Sequence, residues 1–148
     1  MQEKNTLNKK EALFLVESQP LHLGELISVF LKLKDYDFIY ICVSGVPQVM
    51  PINMVTASWI FLLDAHKDKT AVFVAPQKFE NIVKLPKVLE HCTVLTTSTK
   101  IYVHMASSGI KTELVPRATG YWGIFQRTAY RQGRALDYLH TMKKEIER

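Results

Sequence analysis

The sequence predicts an α/β protein, a single Rossmann-like domain of three layers in which helices cover both faces of a five-stranded parallel sheet. Short, continuous apolar runs alternate along the chain with segments whose apolar residues recur at helical spacing. This alternation is typical of right-handed β-α-β units, and the length of 148 residues is typical of one domain.

The first β-α-β unit is the clearest part of this pattern. Residues 12–16 form an apolar run between polar residues, as expected of a strand buried on both faces. Helical spacing from Leu23 onwards predicts a helix that ends near Lys32, whose charge suits a helix C-terminus. Residues 38–43 form a second buried strand, which is closed by Ser44 and Gly45.

The rest of the chain continues the alternation of strands and helices. Residues 100–106 are ambiguous because their β-branched side chains suit a strand, but the following Ser108-Gly109 resembles a helix C-cap and favours a helix. The predicted elements are a helix over 52–64, a strand over 70–75, two short helices within 78–90, a strand over 93–96, the helix over 100–106, a strand over 111–115, and two helical segments over 123–132 and 135–148.

The amino-acid composition indicates what kind of protein this is and which kinds of site it could contain. A hydrophobic content of 47% with 22% charged residues is typical of a folded chain, and the net charge of +5 favours anionic partners without requiring them. Cys42 and Cys92 lack metal-binding spacing, so they are interpreted as core thiols and no metal site is predicted.

Residues 1–10 are expected to be a polar tail and 11–148 the domain. No apolar stretch is long enough to cross a membrane, so no spanning helix and no membrane partner are expected. The two core thiols favour a reducing cytoplasm as the location.

The expected place for a ligand is the edge of the sheet where the strands end. Parallel sheets bind ligands outside the carboxyl ends of their strands, at the point where the strand order reverses. We therefore predict one functional surface formed by the loops over 16–24, 44–45, 96–99 and 116–124.

The segment Gln19-Pro20-Leu21-His22-Leu23-Gly24 after the first strand resembles the G-R-F-Q-P-x-H-x-G-H signature of the nucleotidylyltransferases. The closest types are nicotinamide-mononucleotide adenylyltransferases and cytidylyltransferase-like proteins. Residues 35–45, 50–51 and 113–127 are similar to further segments of that family, the last to its Y-S-G-T-E-I-R signature. The resemblance covers roughly residues 12–134.

The resemblance implies transfer of AMP or CMP from a nucleoside triphosphate to a small, phosphate-bearing acceptor, with release of pyrophosphate and with Mg²⁺ as cofactor if the protein is active. It assigns charge neutralisation at the phosphates to His22 and Arg127. The residues that it assigns to nucleotide binding are Gln19, Pro20, Gly24, Gly45 and Gly123.

Four substitutions fall on functional positions of the resemblance. Glu17 stands in place of an arginine, Glu25 in place of the second histidine, and Trp122 and Ile124 in place of a serine and a threonine. A carboxylate about 4 Å from a phosphate charge costs on the order of 4 kcal/mol at an effective dielectric constant near 20. Glu25 could instead hold Mg²⁺, or only complement the dipole of its helix.

These substitutions leave two functions open. One is a nucleotidylyltransferase with an atypical pocket and weak or lost activity. The other is a non-catalytic relative that binds a nucleotide or assembles with copies of itself, and a homo-oligomer is expected. Nucleic-acid binding through Arg127, Arg131 and Arg134 ranks lower because no aromatic-basic recognition motif accompanies them. The other histidines are interpreted as surface or core residues without ligand roles: His66, His91, His104 and His140.

Overall fold

Five parallel strands form one sheet in the computed structural model, which describes residues 10–16, 23–44, 52–75 and 77–116, with the backbone alone at 23–25. In chain order the strands are β1 (Glu11–Val16), β2 (Phe38–Val43), β3 (Thr70–Val74), β4 (Thr93–Thr96) and β5 (Thr112–Leu114). Their spatial order is β3-β2-β1-β4-β5. The α/β class with a five-stranded parallel sheet is therefore confirmed.

Three α-helices are described, and they lie on both faces of the sheet. They are α1 (Leu23–Lys32), α2 (Ile52–Leu62) and α3 (Thr99–Ser107), together with 3₁₀ turns at Asp64–His66, Phe79–Asn81 and Lys87–Leu89. None of the helices in the described part of the chain combines the length and the apolar character that a membrane-spanning helix needs.

The central strand β1 separates two hydrophobic cores because its alternate side chains point to opposite faces. On one face, Phe14 packs in a buried cluster with Leu26 of α1 and Trp59 of α2. On the other face, Leu13 shares a buried cluster with Ile101 of α3 and with Phe79 and Leu89 of the last two 3₁₀ turns. This arrangement confirms the three predicted layers.

Most predicted elements occur close to their predicted bounds. The strands over 38–43 and 93–96 and the helix from Leu23 to Lys32 are confirmed. The ambiguous segment is a helix, as favoured, because Ser98 Oγ accepts a hydrogen bond from the backbone N–H of Ile101 and caps α3. The predicted helices over 123–132 and 135–148 and most of the polar tail lie outside the described residues.

Several predicted bounds need correction. The helix predicted over 52–64 ends at Leu62, because the chain then tightens into the 3₁₀ turn Asp64–His66. The two short helices predicted within 78–90 are single 3₁₀ turns, since Pro86 between them has no backbone N–H to continue a helical ladder. The strands predicted over 70–75 and 111–115 each lose terminal residues, whereas β1 gains Glu11.

Candidate functional site

The strand order reverses between β1 and β4, and this reversal identifies the candidate site. The two strands are parallel neighbours, with Phe14 paired to Leu95. After β1 the chain enters α1 on one face of the sheet, whereas after β4 it enters α3 on the other face. Ligands in such a sheet usually bind in a crevice between the carboxyl ends of the two strands at this reversal, so the candidate site is assigned there.

Residues after β4 build a hydroxyl-rich turn at this candidate site. Thr96 is buried, and its Oγ1 accepts a hydrogen bond from the backbone N–H of Ser98 at 3.0 Å. Ser98 in turn caps α3. Both hydroxyls thus fix the local backbone, so that the N-terminal turn of α3 starts beside the end of β4.

Lys100 is a residue of this turn that sequence analysis missed. Its side chain is exposed, and it lies in the first turn of α3. A cation there opposes the positive end of the helix dipole, so the position is electrostatically unfavourable unless an anion is nearby. A lysine in the first turn of a predicted helix is therefore the sequence signal that could have identified Lys100 as a candidate anion contact.

The chain after β5 is held against α1 at the same edge of the sheet. The backbone N–H of Val115 donates to the carbonyl oxygen of Thr96 at 2.8 Å. The hydroxyl of Ser28, which is only 1% exposed, donates to the carbonyl oxygen of Pro116 at 2.9 Å. The segment that follows Pro116 therefore leaves from a position beside α1.

The four loops predicted to form one surface all begin at this edge, after Val16, Ser44, Thr96 and Pro116. The backbone N–H of Ser44 donates to the carbonyl oxygen of Val16, which continues the pairing of β1 with β2 beyond the strand ends.

The structure describes few of the predicted site residues. Gly24 and Glu25 lie in the first turn of α1, where the backbone alone is described. The other predicted site residues lie outside the described residues: Glu17, Gln19, Pro20, His22, Gly45, Trp122, Gly123, Ile124 and Arg127.

A second group of chemically active side chains lies at the opposite edge, where the strands begin. His91 Nε2 lies 2.6 Å from Glu11 Oε1 and 3.8 Å from Cys92 Sγ. The Tyr40 hydroxyl donates to Glu11 Oε1 at 3.5 Å. Local sequence spacing gave no partner for His91, because Glu11 is 80 positions away in sequence and only the pairing of β1 with β4 brings the two together.

Both cysteines are buried free thiols, as predicted. Burial raises the pKa of Cys42 to about 12. Burial, assisted by the negative charge of Glu11, raises the pKa of Cys92 to about 11. Neither thiol is therefore an activated nucleophile at neutral pH.

A pocket of about 590 Å³ lies beside the edge strand β5. Its lining includes Lys10, Tyr36, Tyr102 and Lys111. The Lys10 ammonium is 4.8 Å from the centre of the Tyr36 ring. Lys10, which directly precedes β1, and Lys111, which directly precedes β5, place part of this lining at the amino ends of the strands.

No model of a known protein family matches the sequence, and no curated protein is significantly similar to it.

Proposed function

We propose that this protein is a nucleotidylyltransferase-like protein that binds a nucleoside triphosphate at the carboxyl ends of β1 and β4. The single observation that carries the proposal is the spatial order β3-β2-β1-β4-β5, which centres the order reversal on β1. The motif-like segment Gln19-Pro20-Leu21-His22-Leu23-Gly24 begins among the six residues between β1 and α1 and ends in the first turn of α1, so it connects directly to the reversal point.

The proposed chemistry is transfer of AMP or CMP. An oxygen of the acceptor's phosphate attacks the α-phosphorus, the bond to the bridging oxygen breaks, and pyrophosphate leaves with that electron pair. Mg²⁺ accompanies the triphosphate as its counter-ion. Such a reaction needs positioned positive charge more than a protein nucleophile.

Groups suited to phosphate binding are present at this edge. The N-termini of α1 and α3 follow β1 and β4, and free backbone N–H groups at helix N-termini bind anions. The exposed Lys100 adds a cation beside α3. His22 and Arg127 are the proposed contacts to the triphosphate on the strength of the resemblance.

The direct test measures pyrophosphate release from ATP and CTP with a panel of phosphate-bearing acceptors. We expect release with at least one pair of substrates, and a decrease of roughly 10²–10³-fold in His22→Ala, the usual cost of one donor lost from a transition state. His66→Ala is the matched control, because His66 lies before β3 at the other edge and should leave the rate unchanged. No release with any pair would reject the enzyme.

A non-catalytic nucleotide-binding relative is the second candidate, favoured by Glu25. The backbone of Glu25 belongs to the first turn of α1, at the end of the sheet where the phosphates would bind. Repulsion of a phosphate by the Glu25 carboxylate, on the order of 4 kcal/mol, corresponds to roughly a thousandfold in affinity if no cation intervenes.

Calorimetric titration with ATP and CTP, with and without Mg²⁺, separates the two candidates. Binding without pyrophosphate release supports the non-catalytic relative. If Glu25 repels the phosphates, Glu25→Gln tightens binding most strongly without Mg²⁺. Lys100→Gln should weaken binding several-fold, whereas Lys67→Gln, at an exposed position before β3, should not.

Self-association is the other form of the non-catalytic proposal, and it depends on Trp122. Sedimentation velocity of the full chain tests it. A dimer or larger species that Trp122→Ala weakens supports assembly, and a monomer at all concentrations rejects it.

A further inference from the structure

Three potential metal ligands converge where β1 and β4 begin. They are Glu11 at the start of β1 and the consecutive residues His91 and Cys92, which precede β4. One ligand atom from each residue lies within 4.8 Å of the other two. This group is separate from the proposed nucleotide site, because the two lie at opposite ends of the strands.

The geometry argues against a catalytic relay in this group. In a Cys-His-carboxylate relay, one ring nitrogen of the histidine faces the thiol and the other faces the carboxylate. Here the same atom, His91 Nε2, contacts both Glu11 Oε1 and Cys92 Sγ. A shared cation bound by Nε2 would have the other two atoms as its neighbours.

We propose that Glu11 Oε1, His91 Nε2 and Cys92 Sγ bind one divalent transition-metal ion of the zinc type. A thiolate, an imidazole and a carboxylate together form a ligand set that suits Zn²⁺, with water in the fourth position of a tetrahedral site. Cys92 would bind as the thiolate and release its proton to solvent.

The distances require only a small adjustment. Tetrahedral Zn²⁺ separates nitrogen from sulfur by about 3.5 Å and nitrogen from oxygen by about 3.3 Å, given bonds of roughly 2.0–2.3 Å. The 3.8 Å separation of His91 Nε2 from Cys92 Sγ is close to the first value. The 2.6 Å separation of Nε2 from Glu11 Oε1 must widen, and the His91 side chain is 51% exposed, so its ring has room to move.

The proposed metal site is buried on the side of Cys92 and exposed to solvent on the side of His91. Cys92 is 3% exposed and anchored in the core, whereas His91 reaches solvent, which gives a cation a route of entry. The Tyr40 hydroxyl donates to Glu11 Oε1 and orients the carboxylate, as partners of metal ligands commonly do. A bound ion would tie β1 directly to the segment before β4.

The test is a metal titration of the full chain after removal of all metal. Zn²⁺ is titrated in competition with a chromophoric chelator, and Co²⁺ is titrated by absorption, because a thiolate ligand adds an intense charge-transfer band. We expect one ion per chain and a thiolate band. His91→Gln should weaken Zn²⁺ binding more than about tenfold, since even partners of ligands contribute 10–100-fold.

Two cysteine variants form the matched pair. Cys92→Ala should abolish the thiolate band and Cys42→Ala should retain it, because Cys42 is an equally buried thiol outside the group. His91→Gln changes a half-exposed side chain, so its result does not depend on whether Cys92→Ala folds. Zn²⁺ binding of equal strength in wild type and His91→Gln, or a thiolate band retained in Cys92→Ala, would overturn the proposal. Neither result bears on the nucleotide site.

Discussion

At the scale of single residues, the environment of Cys42 has the clearest chemical consequence. Cys42 lies on β2, is 4% exposed, and belongs to the cluster that packs beneath α3. Its burial was predictable from the apolar run around it. The pairing of His91 with Glu11 was not, because it depends on which strands become neighbours and not on local sequence.

We predict that Cys42 makes the protein less stable at alkaline pH. The pKa of the Cys42 thiol is about 12 in the folded protein against 9.0 in the unfolded protein. The contribution of the thiol to the free energy of unfolding is therefore fully present below pH 9 and is lost as the pH rises towards 12. Between pH 8 and pH 10.5, wild type should lose about 2 kcal/mol more of its free energy of unfolding than Cys42→Ala. Urea unfolding at the two pH values measures this difference, and equal losses would contradict the prediction.

At the scale of elements, hydrogen bonds that involve the side chains of two serine residues help to position the helices. Ser98 caps α3, the helix formed by the segment whose sequence was ambiguous. Because serine directly before a helix is a common N-cap, this role was predictable from the sequence. Ser28 joins α1 to Pro116, a contact between residues 88 positions apart that no local pattern indicates. The two serines therefore differ in how far the sequence predicts their roles.

We predict that Ser28→Ala lowers the free energy of unfolding by about 1 kcal/mol, the usual net contribution of one hydrogen bond. The variant removes the buried donor to the carbonyl oxygen of Pro116. Ser107→Ala is the matched control, because Ser107 is an exposed helical serine and should change stability by less than about 0.5 kcal/mol. Urea unfolding of both variants is the measurement, and equal effects would show that the contact contributes nothing.

At the scale of the whole molecule, the position of a strand in the sheet should determine its stability. The central β1 is paired on both sides, whereas the edge strand β5 has three residues paired to β4 alone. We predict that hydrogen exchange is slowest for amides of β1 and fastest, among the strands, for those of β5, because edge strands open locally. Peptide-level exchange followed by mass spectrometry measures the difference, and slower exchange in β5 than in β1 would contradict it.

The sequence predicted the elements better than it predicted their arrangement. The bounds of β2, β4 and α1 follow from local apolar patterns. The pairing of β1 with β4 instead joins strands that are separated in sequence by β2 and β3, so it is a property of the whole sheet. This pairing determines both the candidate site at the carboxyl ends and the group around His91. The motif residues from Glu17 to His22 and from Trp122 to Arg127 stay predictions, because they lie outside the described residues.

The central position of β1 also affects how the chain can fold during synthesis. Leu13 pairs on one side with Tyr40, which follows soon afterwards, but on the other side with Val94, which is translated much later. At about 5–20 residues per second, one edge of β1 waits several seconds for its partner. During that interval its free backbone groups can pair with another chain, so nascent chains of this protein are most prone to aggregation before β4 leaves the ribosome.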